Sequence, residues 1–144
     1  MSQQSLELGF PAEMRWSLLE GKFALIGFPE LPSARAVELV LNLRGGQLIR
    51  EGDETTLLVP MDSLAELETL HPALRVERDL DWFRFESPMS WDVVGFLALV
   101  TSKLAEAEVP VCAVCAYSRD YVLIAERYQA VVRRVLTGLF PESD

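Results

Sequence analysis

Cysteine and histidine are scarce in this sequence, and that scarcity limits the chemistry the protein can perform. The 144 residues include two cysteines, Cys112 and Cys115, and one histidine, His71. A structural zinc site needs about four such ligands. Nucleophilic catalysis needs a histidine held beside a nucleophile, and His71 precedes Pro72 in a predicted surface loop. We therefore expect no metal site, no catalytic residue and no cofactor.

Basic residues and long hydrophobic runs are also few. The chain has 13 Lys and Arg against 22 Asp and Glu, a formal net charge of −9. Such an acidic surface repels phosphate backbones and anionic lipids, which argues against nucleic acids and membranes as partners. No apolar run reaches the roughly 20 residues that span a bilayer. The start, "MSQQSLELGF", lacks the basic region and apolar run of a signal peptide, so we expect a cytoplasmic protein.

The two cysteines have the C-x-x-C spacing of redox and metal-binding pairs. They lie in "VCAVCAY", whose apolar, β-branched composition after Pro110 predicts a strand. In a strand, residues three positions apart point to opposite faces. Cys112 and Cys115 are therefore predicted to be structural and unable to bridge or chelate together.

The two halves of the chain show the same succession of predicted elements. In the first half, the strand "KFALIGF" precedes a helix capped by Ser33, the hairpin "QLIRE" and "TTLLVP", and a helix where Ser63 and Glu66 have capping-box spacing. In the second half, the strand "LDWFRFES" precedes a helix beginning at Ser90 or Asp92, a hairpin and a last helix. This alternation predicts two βαββαβ units of the ferredoxin-like kind.

The predicted fold class is therefore α+β, an antiparallel sheet with helices on one face. The units are predicted to cover residues 1–80 and 81–144. In the aromatic strand of the second unit, side-chain alternation places Trp82 and Arg84 on one side, and Phe83 and Phe85 on the other.

Two stretches of the second half place polar groups in an apolar framework. "SPMSWDVVG", residues 87–95, is a predicted strand-to-helix turn, and a helix start offers unpaired N–H groups to a carboxylate. Gly95 would let a backbone or small ligand come close. In the turn "AYSRDY", Asp120 is suited to bind an ammonium group. The alternative is that Ser90 is only a helix cap and Asp120 only a turn residue.

These same stretches resemble a known family. "SPMSWDVVGFLALVTSKLAEAEVPVCAVCAYSRDYVLI" is similar to the second half of the ACT-domain proteins related to the cytosolic arginine sensors. Those proteins typically read G-P-x-D-F-S-x-T-G, then an amphipathic helix ending in P-L-A-x-A-G-I, a strand, and a turn like Y-D-T-D-Y-x-L-V. The matching positions are Pro88, Gly95, Leu104, Ala105, Ala107, Tyr117, Asp120, Tyr121 and Leu123. The departures are Ser87 for glycine, Ser-Trp-Asp at 90–92 and Ser-Arg-Asp at 118–120.

The resemblance implies tandem ACT-type units, the first of them degenerate, that bind a small ligand without catalysis. We predict a regulatory amino-acid sensor that forms a homodimer, since an exposed sheet edge invites pairing. Backbone N–H groups of residues 90–94 are predicted to bind the ligand carboxylate, and Asp120 its ammonium. The predicted ligand-binding residues are Ser90, Trp91, Asp92, Val93, Val94, Gly95, Tyr117, Ser118 and Asp120. The alternative is an ACT-fold protein-interaction module that has lost ligand binding, its pocket filled by Trp91 or Tyr117.

Overall fold

The computed structural model describes residues 10–11, 13–29 and 31–144. The strands are β1 Trp16–Leu18, β2 Phe23–Phe28, β3 Gln47–Arg50, β4 Thr55–Pro60, β5 Arg75–Phe85, β6 Cys112–Ala113 and β7 Tyr121–Ala125. The helices are α1 Ala34–Leu41, α2 Leu64–Leu70, α3 Phe96–Glu106 and α4 Gln129–Leu139. In the described part of the chain, no helix is long and apolar enough to cross a membrane. Residues 1–9, on which the expected absence of a signal peptide rests, lie outside the described ranges.

One compact unit is formed by Gly21–Leu80. Its strand order is β3-β4-β2-β5, and β2 pairs antiparallel with both β4 and β5. Helices α1 and α2 pack on the sheet face formed by alternate residues of β2 and β4. The buried core of this unit is Ala24, Ile26, Phe28, Ala36, Val40, Leu57, Val59, Leu64 and Leu67.

The other unit combines the described residues up to Glu20 with Asp81–Asp144. Its strand order is β1-β5-β7-β6, with the antiparallel pairs β1–β5 and β6–β7. Phe83 and Phe85 face the core with α3 and α4, whereas Trp82 packs its ring against Tyr121, as alternation along β5 predicts. The other buried residues of this core are Phe10, Met14, Trp16, Phe96, Val100, Leu104, Val109, Val122, Ile124, Val132, Leu136, Leu139 and Phe140.

The predicted α+β class, with antiparallel strand pairs and packed helices, is confirmed. The compact units differ from the predicted ranges because β1 belongs with residues 81–144. It pairs with β5 in the register Trp16↔Phe85. That both ranges, 1–80 and 81–144, are ACT-type units stays a prediction.

Two local predictions about helices are wrong. Ser63 makes no side-chain cap for α2, because a 3-10 turn, Met61–Ser63, leads into the helix and gives Ser63 a helical backbone. The helical spacing of the apolar residues Ala36, Val37, Val40 and Leu41 predicts that all four lie on the inner face of α1, but Leu41, the last residue of that helix, is 75% exposed. The Ser33 cap is confirmed, since its side chain accepts a hydrogen bond from the Ala36 N–H at 3.3 Å.

Candidate functional site

A pocket of about 400 Å³ opens between the loop before α3 and the β6–β7 hairpin. The loop and hairpin are joined by a backbone hydrogen bond of 3.0 Å from the Met89 N–H to the Ser118 carbonyl. The pocket is lined by Met89, Ser90, Trp91, Val93, Gly95, Phe96, Leu97, Ala98, Cys115, Ala116, Tyr117, Ser118, Arg119 and Asp120. The structure thus brings "SPMSWDVVG" and "AYSRDY" together around one cavity.

The start of α3 forms one wall, but not where the sequence predicts it. The helix begins at Phe96, and Gly95 precedes it in the left-handed region with φ 86°. Ser90 does not cap a helix. Its hydroxyl accepts the Asp92 N–H at 3.3 Å and its carbonyl accepts the Val93 N–H at 3.2 Å, which closes a turn. The N–H groups of Asp92 and Val93 are therefore used within this turn, and carboxylate binding by residues 90–94 stays a prediction.

The orphan N–H groups of the helix start lie at residues 96–98, after the predicted range of 90–94. The first turn of an α-helix leaves its N–H groups without intrahelical partners. Here those groups belong to Phe96, Leu97 and Ala98, and all three residues line the pocket. They provide the positive end of a helix dipole at the cavity wall.

Asp120 lies on the opposite wall, at the end of the hairpin turn. The turn is closed by a bond of 2.9 Å from the Ala116 N–H to the Arg119 carbonyl. The carbonyl of Asp120 accepts the Phe85 N–H at 3.1 Å, which fixes this residue to β5. Its carboxylate accepts a hydrogen bond from the Cys115 thiol. A carboxylate has about four acceptor sites, so one thiol leaves capacity for an ammonium group.

Arg119 brings the only guanidinium among the residues that line this pocket. Its Nε donates a 2.8 Å hydrogen bond to the Glu86 carbonyl, which leaves the terminal nitrogens outside that bond. The Glu86 carboxylate accepts hydrogen bonds from Ser17 and from Arg84, whose Nε and terminal nitrogen lie at 3.1 and 3.0 Å. Burial alone would raise the pKa of Glu86, but these bonds and the charges of Arg84 and Arg119 lower it below its usual value.

Trp91 and Tyr117 stand at the mouth of the pocket. Their ring centroids are 6.1 Å apart in an edge-to-face arrangement, and the residues are 81% and 85% exposed. Neither side chain fills the cavity, so the filled pocket expected for an interaction module without ligand binding is wrong in this structure.

Seven of the nine predicted ligand-binding residues line the pocket: Ser90, Trp91, Val93, Gly95, Tyr117, Ser118 and Asp120. Asp92 and Val94 do not, and both are exposed. Sequence reasoning missed Met89, Phe96, Leu97, Ala98, Cys115, Ala116 and Arg119. The sequence does contain a signal for the observed helix start. Glycine is acceptable as an N-cap residue, and assigning Gly95 to that position would have predicted that the helix begins at Phe96.

The two cysteines are both exposed thiols, and they have different surroundings. Cys112 lies in β6, whereas Cys115 lies beyond the end of that two-residue strand, so the predicted strand "VCAVCAY" is too long. Although both residues are exposed overall, partial burial of the thiol groups raises the pKa of both, and the neighbouring Asp120 carboxylate raises that of Cys115 further. Nowhere in the described ranges do three or more His, Cys, Asp or Glu side chains gather as metal ligands.

His71 has a structural position in the other unit. It follows the last residue of α2, and its Nε2 lies 3.0 Å from the Ser33 hydroxyl and 3.3 Å from the Ser33 N–H. Its ring packs edge-on against Phe28, with centroids 5.1 Å apart. His71 lies in the connection after α2, where the sequence predicts a loop, but it is half-buried and contacts the Ser33 cap of α1.

Comparison with known proteins supports the class that the sequence suggested. Residues 75–137, from β5 to near the end of α4, match the ACT domain family. The match contains every residue that lines the pocket. The predicted resemblance to ACT domains is confirmed over this range, and the relation to arginine sensors stays a prediction. No match is found among curated proteins.

Solved structures of similar fold cover almost the whole chain. A protein from Agrobacterium tumefaciens has a TM-score of 0.71 at 16% identity, over 92% of each chain. A Vibrio cholerae protein of unknown function has a TM-score of 0.68 at 18% identity, over 94% of this chain and 95% of that one. The regulatory subunit of aspartate kinase from Thermus thermophilus, in its ligand-free form, has a TM-score of 0.61 at 17% identity, over 88% and 96%.

Proposed function

We propose that this chain is a non-enzymatic regulatory protein that binds a free amino acid in the pocket between α3 and the β6–β7 hairpin. The observation that carries the proposal is that groups of both charge signs line one cavity. The positive helix start and Arg119 suit a carboxylate, and Asp120 suits an ammonium. A free amino acid carries these two groups on adjacent atoms.

The carboxylate would be bound by the N–H groups of residues 96–98, with Arg119 as a second donor. This moves the predicted carboxylate site from residues 90–94 to the observed start of the helix. Ser90, Gly95 and Ser118 would shape the cavity. Because Cys115 already donates to Asp120, an ammonium would share that carboxylate with the thiol and lie beside it.

Regulation would follow if the ligand binds one arrangement of the chain more tightly than another, since it can then shift their equilibrium. We propose that residues 1–80 and 81–144 derive from two ACT-type units, and that the protein acts in the cytoplasm. The match of residues 75–137 to the ACT domain and the fold shared with a regulatory subunit support this proposal.

We also propose that the protein is a homodimer. In the unit of Gly21–Leu80, β3 is an edge strand, and its outer side has no partner strand among the residues that the structure describes. Leu48 and Ile49 on this strand are 36% and 44% exposed, and an exposed apolar edge favours pairing with a second copy. Light scattering after size exclusion tests this proposal. A dimer mass supports it, and a monomer at all accessible concentrations contradicts it.

Isothermal titration calorimetry against the common amino acids tests the ligand proposal. We expect at least one to bind at millimolar concentration or below, and Asp120→Asn to weaken it about 10- to 100-fold, since a hydrogen bond to a charged group contributes about 1.5–3 kcal/mol. Asp92→Asn is the matched control, because Asp92 is exposed and does not line the pocket.

Two outcomes would contradict the proposal in different ways. If no amino acid binds, the proposed function is wrong, and recovery of a protein partner would then favour the interaction module. If binding is unchanged by Asp120→Asn, the ligand lies elsewhere.

A further inference from the structure

We propose that the bound amino acid has a large, uncharged, apolar side chain, and that Trp91 and Tyr117 select it. This inference rests on the proposed function and adds the class of ligand. It starts from two features of the pocket: the number of charges on its walls and the two exposed rings at its mouth.

The charged side chains that line the pocket are enough to pair with the two charges of an amino-acid backbone, and none is left to pair with a charged ligand side chain. Arg119 and Asp120 are the charged side chains among the lining residues, one of each sign. The α-carboxylate and α-ammonium of the ligand would use both. A charged ligand side chain would then meet no opposite charge on these walls, and moving it out of water without a partner is unfavourable.

The surface left for the ligand side chain is apolar and aromatic. Around the charged pair lie Met89, Val93, Phe96, Leu97, Ala98 and Ala116. Trp91 and Tyr117 are more than four-fifths exposed although they lie side by side at the mouth. Adjacent exposed aromatic rings on a soluble domain mark a contact surface. A ligand side chain that reaches the mouth would cover them.

The rings themselves have a defined position. The 3.0 Å bond from the Met89 N–H to the Ser118 carbonyl joins the two segments that carry them. The rings meet edge to face with planes 69° apart, so they do not form the parallel walls that would enclose a cation from both sides. Both rings are more than four-fifths exposed, so their apolar surface is accessible to a neighbouring apolar group.

Magnitudes favour an apolar side chain over a cationic one. Covering about 100 Å² of apolar surface raises affinity by roughly 50-fold or more. A cation over an exposed ring gains roughly 2- to 5-fold. We therefore expect leucine, methionine and phenylalanine to bind at least 10-fold more tightly than lysine, arginine, aspartate and glutamate.

The experiment is calorimetric titration of the full chain with these amino acids and with alanine. Trp91→Ala is expected to weaken binding of the apolar ligands about 10-fold and to leave alanine binding nearly unchanged, because alanine is too short to reach the mouth. Trp91→Phe should retain most of the affinity. Val94→Ala is the matched control, since Val94 is 74% exposed nearby and does not line the pocket.

The outcomes separate this inference from the proposed function. If a charged amino acid binds as tightly as the apolar ones, or if Trp91→Ala leaves the apolar ligands unaffected, the inference is wrong while amino-acid binding stands. If no amino acid binds, both are wrong. Trp91 is 81% exposed, so its truncation should not unfold the chain, and circular dichroism checks this directly.

Discussion

Replacing Glu86 by glutamine should destabilise the protein at neutral pH and lose this effect in acid. The carboxylate of Glu86 accepts hydrogen bonds from Ser17 on β1 and from Arg84 on β5, and its carbonyl accepts the Arg119 side chain. Glutamine keeps an acceptor oxygen but removes the charge, so the bonds from Arg84 become weaker.

The size of the effect follows from burial. A hydrogen bond to a charged group contributes about 1.5–3 kcal/mol when buried, and an exposed ion pair less than about 1 kcal/mol. The side chains of Arg84 and Glu86 are 36% and 24% exposed, between these cases. We expect a loss of about 1–1.5 kcal/mol, a decrease in Tm of about 2–6 °C for a domain of this size.

The pH dependence has a definite sign. The folded-state pKa of Glu86 is lowered, so the charged group stabilises the fold above its unfolded pKa of about 4.3. That contribution is lost as the pH falls through the lower folded pKa.

The assay is thermal unfolding of the unchanged protein and of the Glu86→Gln variant at pH 7 and near pH 3. The control is Glu106→Gln, which removes an exposed pair with Lys103 and should cost about 0.5 kcal/mol or less. A Glu86→Gln difference that is absent at pH 7, or that persists unchanged near pH 3, would refute the reasoning.

Other backbone and capping predictions concern stability and can be checked by chemical denaturation. Glu108 has φ 58° just after α3, a conformation that favours glycine, so Glu108→Gly should stabilise the protein by about 1 kcal/mol; a loss of stability would contradict this. Gly95→Ala should cost about 1–2 kcal/mol through its φ of 86° alone, since an added Cβ meets no atom within 4 Å; an unchanged midpoint would contradict this. Ser33→Ala removes the cap of α1 and a partner of His71, and should cost about 1 kcal/mol, whereas no measurable change would mean that the cap is not used.

The parts of the fold that sequence reasoning predicted are those set by side-chain periodicity. Phe83 and Phe85 alternate with Trp82 along β5. Because side chains of a strand alternate between its two faces, the sequence alone places Phe83 and Phe85 on one face and Trp82 on the other. The hairpin of β3 and β4 was predicted because the residues between the two strands are polar and typical of a turn. A hydrogen bond of 2.8 Å from the Glu51 N–H to the Glu54 carbonyl closes this turn.

Element boundaries were predicted less well because they depend on backbone conformations that many residues adopt. Ser63 has the sequence of a helix cap, yet the chain enters α2 through a 3-10 turn. The Ser90 side chain closes a separate turn, and α3 begins only after Gly95, which has a positive φ. That β1 joins residues 81–144 is a long-range pairing, and no local pattern in a three-residue strand indicates it.

Sequence reasoning predicted the two stretches that form the candidate site, but it did not predict all of the residues that line the pocket. "SPMSWDVVG" and "AYSRDY" were found because each puts polar residues beside an apolar element. Arg119 and Cys115 enter the pocket through the geometry of the hairpin turn, where the Ala116 N–H binds the Arg119 carbonyl. Turn geometry of this kind depends on the register of β6 and β7, which sequence does not reveal.

The central claim, that an amino acid occupies this pocket, is tested most directly at the two cysteines. Cys115 lines the pocket and Cys112 does not, although both are exposed. The alkylation rate of each thiol can be followed by peptide mass spectrometry at mildly alkaline pH, with and without a millimolar mixture of the common amino acids. We predict that the mixture slows alkylation of Cys115 several-fold and leaves Cys112 unchanged. Equal rates for Cys115 with and without the mixture would contradict the claim.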